Sequence, residues 1–168
     1  MPRPHPHPAA GFSLPEVLIA SVIVAIISLA LAQAIVAGHQ QTDNAVTVHR
    51  AAALADSMLE RVLALPYGDP EGETNIGPDS GESGYTQFDN VDDYHNYTEA
   101  AGALIDASGT AWPSNYQDHS RSVRVVSETL DVADLGGAHE GVTVTVTVTM
   151  PDGRLLTVRR WVPSEVSS

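Results

Sequence analysis

The stretch GFSLPEVL, residues 11–18, opens a long apolar segment of the chain. Residues 17–37 read VLIASVIVAIISLALAQAIVA, and no Asp, Glu, Lys or Arg interrupts them. As an α-helix this segment would be roughly 30 Å long, which is the thickness of the hydrocarbon core of a bilayer. Glu16 lies at its amino-terminal edge, where a carboxylate is costly and usually serves a function. The stretch therefore predicts a membrane-spanning helix with one functional acid at its start.

The residues GFSLPEVLIA, 11–20, resemble the processing and assembly motif of type IV prepilins and type II secretion pseudopilins. The resemblance implies that a prepilin peptidase/N-methyltransferase cuts after Gly11 and methylates the new amino terminus, Phe12. It also implies that Glu16 pairs with the terminal amine of a neighbouring subunit, which would favour one register of assembly. Pro15 departs from the commonest form of the motif, but a proline in the first turn removes no intrahelical hydrogen bond.

An ordinary secretory signal peptide is the alternative interpretation of this end of the chain. Residues 30–32 (ALA) and 32–34 (AQA) both offer the A-x-A pattern at which such peptides are cleaved. However, the apolar run exceeds the usual apolar region of about 7–15 residues and continues past both patterns. A signal peptide also leaves Glu16 unexplained, so the prepilin interpretation is favoured.

Residues 1–11 form the predicted leader, because the alternating prolines of MPRPHPHPAA block helix and strand alike. The positive charges on the two sides of the span barely indicate its orientation in the membrane, since Arg3 precedes the span and Arg50 follows it. The resemblance implies an amino terminus inside and a carboxy-terminal domain outside. We therefore expect a single-pass protein of the bacterial inner membrane before assembly, and a periplasmic or extracellular filament afterwards.

Composition excludes several classes of function. The formal net charge is −13, from 21 acidic and 8 basic residues, and such a surface repels the phosphate backbone of nucleic acids. The sequence contains no cysteine, so disulfides and thiol chemistry are excluded. The histidines are scattered and show no metal-ligand spacing such as HExxH. These features favour a structural subunit over an enzyme, with no cofactor required.

The helical pattern continues beyond the apolar run and becomes amphipathic. Its apolar face is predicted from residues that recur at spacings of three and four: Val48, Ala52, Ala55, Leu59 and Leu63. Its polar side carries the charged residues Asp43, Arg50, Asp56, Glu60 and Arg61. The helix is expected to end at Leu65, because the residue before a proline avoids the helical conformation.

Residues 69–120 are rich in Gly, Pro, Ser, Asn and acids, and contain no Lys or Arg, which predicts a long loop or irregular subdomain. Within it, FDNVDDYH (residues 88–95) is similar to a stretch of minor pilins of the mannose-sensitive haemagglutinin pilus type. Asp89, Asp92 and Asp93 can supply oxygen ligands to Ca²⁺, although the spacing is not that of an EF-hand. An acidic loop of this kind can equally be solvated, so calcium binding stays an open alternative.

The carboxy-terminal part of the chain predicts an antiparallel hairpin. Residues 122–127 are rich in β-formers, and residues 142–150 (VTVTVTVTM) alternate strictly between an aliphatic and a threonine face. Pro151-Asp152-Gly153 predicts a turn, after which residues 154–162 return as the partner strand. The aliphatic face is expected to pack on the amphipathic part of the helix.

Together these features predict an α+β, pilin-like fold in which a long amino-terminal helix, transmembrane in its first half, packs on a small antiparallel sheet. The expected organisation is a leader (1–11), a transmembrane and assembly half-helix (12–38), an amphipathic half-helix (39–66) and an acidic loop with a β domain (67–168). The expected function is a minor pilin or pseudopilin of a type IV pilus or type II secretion pseudopilus. Its expected partners are other such subunits, the prepilin peptidase and the inner-membrane assembly platform.

Two alternatives to this function stay open on the sequence alone. The exposed domain can be a calcium-dependent or adhesive tip module on the same scaffold. The chain can also be a plain signal-anchored, exported acidic protein.

Overall fold

The computed structural model describes residues 11, 13–70, 75–132 and 137–164. They divide into two compact units, one ending at Asn44 and the other beginning at Ala45. One long helix, α1, comprises Leu14–Leu63. The strands and 3₁₀ turns that follow it are β1 (Thr98–Glu99), β2 (Ser120–Val132), β3 (Gly137–Thr149), β4 (Leu155–Pro163), and the turns Asp92–Tyr94 and Ser114–Tyr116.

The first unit contains the apolar half of α1. Its large apolar side chains are exposed, from 50 % at Ile23 to 77 % at Leu14. Among the described residues, α1 is the one helix long and apolar enough to cross a membrane. Because water disfavours so much uncovered apolar surface, this half of the helix is consistent with transmembrane anchoring.

The second unit contains a four-stranded antiparallel sheet in the order β1-β2-β3-β4. The predicted alternation in β3 is confirmed, because its aliphatic face is buried: Val142, Val144, Val146, Val148 and Met150. The valines of neighbouring strands are paired directly, Val123 with Val146 and Val125 with Val144. Each buried valine contributes about 1.5–3 kcal/mol to stability, so this face is a principal part of the core.

The predicted return of the chain after β3 is also confirmed. The Met150 N–H donates to the Arg154 carbonyl at 2.9 Å, and the Gly153 N–H donates to the Met150 carbonyl at 2.9 Å. Gly153 has a φ of 83°, a left-handed conformation that glycine adopts without the Cβ clash of other residues. Residues 151–153 therefore form the turn that sets the register of β4 against β3.

The second half of α1 packs on this sheet, but through a different stripe from the one predicted. The buried residues are Ala51, Leu54, Ala55, Met58, Leu59 and Val62, which belong to the same core cluster as the valines of β3. Ala55 and Leu59 were predicted correctly, and Val48 is partly buried against the core, whereas Leu63 is 36 % exposed and does not belong to the buried stripe. The apolar face is rotated because Leu54, Met58 and Val62 bring more apolar surface than Ala52 and Leu63.

A buried ionic network connects α1, β1 and β2 around the carboxylate of Glu99. Arg61 Nη1 lies 3.3 Å from Glu99 Oε1, and Arg121 Nε lies 2.8 Å from Glu99 Oε2. The Tyr97 hydroxyl donates to Glu99 Oε1 at 2.9 Å, and Arg121 Nη1 donates to the Leu54 carbonyl at 3.1 Å. Burial, and then the charge of Glu99, raise the pKa of Tyr97, which keeps its hydroxyl protonated as a donor.

The expectation that Arg61 lies on the solvated side of the helix is therefore wrong. Its side chain is 8 % exposed and its Nη2 also donates to the Ile105 carbonyl at 3.0 Å. Its guanidinium lies over the ring of Tyr85, 5.2 Å from the centroid, which favours the cation further. The partners that bury Arg61 are distant in sequence, and helical periodicity does not report them.

Candidate functional site

The start of α1 carries the residues that the motif places at the processing and assembly site. Ser13 is the residue before the helix, and its carbonyl accepts the first helical hydrogen bond, from the Val17 N–H at 3.2 Å. Glu16 Oε2 accepts two hydrogen bonds from Ser13, one from the backbone N–H and one from the hydroxyl, both at 3.2 Å. The carboxylate thus satisfies a donor at the helix start, as the glutamate of a capping box does.

Two further features of this end favour a helix that begins at Leu14. Pro15 lies in the first turn, where its missing N–H has no intrahelical acceptor to lose. The negative charge of Glu16 lies at the positive end of the helix macrodipole. The S-x-x-E spacing of Ser13 and Glu16 is the sequence signal that would have revealed the cap.

The chemistry expected of this end depends on three residues. Gly11 and Glu16 are exposed at the beginning of the described chain, whereas Phe12 and the leader residues 1–10 lie outside the described residues. Both hydrogen bonds that the structure gives the Glu16 carboxylate fall on Oε2. An exposed carboxylate with this local partner can also form an ion pair with a cationic group such as an amine. The roles of Gly11, Phe12 and Glu16 stay predictions.

A second candidate site lies in the loop between α1 and β1. The carboxylates of Glu82, Asp89 and Asp93 each offer an oxygen, and these oxygens lie within 4.8 Å of one another. Partial burial, and then the charges of Asp93 and Asp89, raise the pKa of Glu82.

Asp93 is the buried member of this cluster, at 1 % exposure. Its Oδ2 accepts the backbone N–H groups of Asp89 and Asn90, each at 3.0 Å. Asn90 Oδ1 in turn accepts the N–H groups of Asp92 and Asp93, at 2.8 and 3.1 Å. This reciprocal arrangement is local in sequence, so the segment FDNVDDYH folds into a tight turn that fixes the Asp93 side chain.

Asp92 lies elsewhere, although it was predicted with Asp89 and Asp93. Its Oδ2 accepts the Gly77 N–H at 3.2 Å, and burial, opposed by that hydrogen bond and supported by the charge of Asp93, raises its pKa. The structure thus brings together Asp89 and Asp93 with Glu82 in the place of Asp92. Glu82 was missed because a stretch of irregular loop separates it from Asp89, and no periodic pattern relates positions across such a loop.

Comparison with known proteins gives a match that covers the first of these two sites. Residues 7–32 match the family model of the prokaryotic N-terminal methylation motif, which is the type IV prepilin-like signature. No curated protein and no solved structure matches the chain significantly. The chain therefore carries the amino-terminal signature of type IV prepilin-like proteins, and its fold of one long helix followed by an antiparallel sheet is an α+β, pilin-like architecture.

Proposed function

We propose that this protein is a structural subunit, a minor pilin or pseudopilin, of a type IV pilus or a type II secretion pseudopilus. The observation that best supports this proposal is that the methylation motif of residues 7–32 extends into the first half of α1, whose apolar side chains are exposed. The motif favours a structural subunit over an enzyme. A helix of this kind suits both storage in a membrane and bundling with identical helices in a filament.

Maturation in this proposal consists of two steps at one position. A prepilin peptidase hydrolyses the peptide bond after Gly11, and the amine released on Phe12 is then methylated. The mature subunit waits in the inner membrane with its carboxy-terminal domain outside, and enters the filament through the assembly platform. Other pilins or pseudopilins are its partners there.

Glu16 has the specific role in the assembly step. Its carboxylate pairs with the terminal amine of a neighbouring subunit, and an ion pair in an apolar bundle is favourable only when both partners are present. A subunit in the wrong register leaves a charge buried and unpaired, which is strongly penalised.

The decisive experiment is to determine the amino terminus of the mature protein by mass spectrometry, from cells with and without a prepilin peptidase. We expect a chain that begins with methylated Phe12 when the peptidase is present and an uncut chain when it is absent. A mature terminus near Ala34, or one that retains Met1 in the presence of the peptidase, would refute the proposal.

A matched pair of glycine variants controls this experiment. Gly11→Leu places a bulky side chain at the cleavage site and should block processing. Gly38→Leu makes the same change where an added Cβ meets nothing within 4 Å, so this variant should be processed normally.

A further inference from the structure

The acidic loop contains an arrangement that the proposed filament role does not use. Glu82, Asp89 and Asp93 bring three carboxylates together, with one oxygen of each within 4.8 Å of the others. Opposite ligands of Ca²⁺ lie about 4.6–5.2 Å apart, because each Ca²⁺–oxygen distance is about 2.3–2.6 Å. We propose that these three carboxylates form a binding site for a divalent cation, and that Ca²⁺ is the ion that it takes.

A second observation, at Asp93, points to a ligand in this cluster. Asp93 is 1 % exposed, and among the described residues its Oδ1 has no hydrogen-bond partner. The other oxygen, Oδ2, is held by the N–H groups of Asp89 and Asn90. A carboxyl oxygen of Glu82 lies within 4.8 Å of one of Asp93, and an ionised carboxylate is itself an acceptor. A buried acceptor left without a donor is costly, and a cation between the two carboxylates removes that cost.

The loop holds the central ligand in place before any cation binds. Asp93 is fixed through Oδ2, and Asn90 fixes the turn from the other side by accepting the N–H groups of Asp92 and Asp93. Such pre-organisation lowers the entropy lost on binding. Glu82 and Asp89 are only partly buried, so they can adjust to the flexible coordination geometry that Ca²⁺ tolerates.

The surroundings of the cluster can complete the coordination shell. A cavity of about 290 Å³, open to solvent, is lined by Glu82 and Asp93 together with Ser83 and Asn96. Ca²⁺ takes 6–8 oxygen ligands, so water from this cavity can supply the ligands that the three carboxylates do not. Mg²⁺ requires a near-ideal octahedral shell with shorter bonds, which these loop carboxylates fit less well. The site would stabilise the loop in any assembly, so it stands independently of the filament role.

The test is calorimetric titration of the full chain, purified in detergent micelles and stripped with a chelator, with CaCl₂ alone. We expect saturable binding of one Ca²⁺ per chain, weaker binding of Mg²⁺, and a higher unfolding temperature in the presence of Ca²⁺. Absence of saturable Ca²⁺ binding would overturn the proposal.

Two isosteric variants distinguish a built site from a diffuse acidic surface. Glu82→Gln removes a ligand that is partly exposed, and should weaken Ca²⁺ binding by roughly tenfold or more. Asp92→Asn removes the same charge from an adjacent residue outside the cluster, and should weaken binding by less than about threefold. If both variants lost affinity equally, the ion would be attracted by the acidic loop as a whole and the site would be refuted.

A third variant addresses the buried ligand itself. Asp93→Asn keeps an oxygen for the N–H groups of Asp89 and Asn90 but places an amide donor toward Glu82. We expect this variant to fold and to lose Ca²⁺ binding. Retention of wild-type affinity would show that Asp93 is not a ligand, while the Glu82→Gln result remains decisive if Asp93→Asn does not fold.

Discussion

The carboxylate of Glu16 accepts both the backbone N–H and the hydroxyl of Ser13, each at 3.2 Å. The residue that would pair with a neighbouring subunit is therefore already bound to its own helix terminus. On assembly the carboxylate would bind the amine of the next subunit, either in addition to Ser13 or in place of it. Two functions of one side chain, capping and pairing, can be separated because only pairing requires the negative charge.

The first prediction concerns Glu16→Gln. The amide oxygen of the introduced glutamine can still accept the Ser13 N–H, since glutamine also serves in the capping box, but a neutral amide cannot neutralise an amine. We expect Glu16→Gln to reduce incorporation into sheared filaments as severely as Glu16→Ala. Ser13→Ala removes the hydroxyl donor but keeps the backbone N–H donor and the charged carboxylate, so this variant should incorporate nearly normally. If Glu16→Gln incorporated like the unaltered chain, capping alone would explain this residue.

The sequence predicts a helix or strand well where the pattern of apolar residues along it is regular. The alternation of residues 142–150 and the turn at Pro151-Asp152-Gly153 specify β3, its buried face and the return of β4. The apolar run after Glu16 specifies the first half of α1 by a different signal, its length without a charged residue. Period two and uninterrupted apolarity are local properties, so a single sequence reveals them.

The remaining features could not be predicted because they depend on contacts across the loop. Arg61 has a charged side chain on an amphipathic helix, and it is buried by partners distant in sequence, among them Glu99, 38 residues later. Glu82 joins Asp89 and Asp93 through an irregular chain path. The contact between Ser13 and Glu16 is an exception, because it is local and the S-x-x-E spacing predicts it.

The second prediction concerns the buried network. Glu99→Gln should destabilise the domain by about 3–5 kcal/mol, because Arg61 and Arg121 would remain buried without a counter-charge. The effect is measured by urea unfolding of the detergent-solubilised chain, followed by tryptophan fluorescence. Glu60→Gln, an exposed position of the same helix, should change the free energy of unfolding by less than about 0.5 kcal/mol. A loss below about 1 kcal/mol for Glu99→Gln would contradict the importance of this network.

The third prediction concerns the close contact between Gly141 and Trp161. A Cβ at Gly141 would lie 2.3 Å from the Val162 carbonyl oxygen and 2.8 Å from the Trp161 ring, so the strands must move apart. We expect Gly141→Ala to cost at least about 1–3 kcal/mol and to lower the unfolding temperature. Gly84→Ala, where an added Cβ meets nothing within 4 Å, should be neutral or slightly stabilising. Equal stability of the two variants would show that β3 and β4 relax without cost.

The fourth prediction concerns the pH dependence of the Asp106 loop. Asp106 Oδ1 accepts the Ser108 hydroxyl and the N–H groups of Ser108 and Thr110, at 2.6, 2.9 and 2.9 Å. These hydrogen bonds, that of the Ser108 hydroxyl first and the Thr110 N–H next, lower the pKa of Asp106. A lowered folded-state pKa contributes stability above the unfolded value of about 3.9, and this stability is lost as the pH falls through the folded-state pKa.

Asp106→Asn should therefore destabilise the chain at pH 7, and its difference from the unaltered chain should shrink as the pH approaches 3. Urea unfolding of both chains at a series of pH values measures this difference directly, and effects of the other acids cancel in the comparison. Asp118→Asn, at an exposed position of the neighbouring loop, should show a small difference that does not follow this trend. A destabilisation by Asp106→Asn that stayed constant down to pH 3 would show that the amide geometry, and not the charge of the carboxylate, explains the loss.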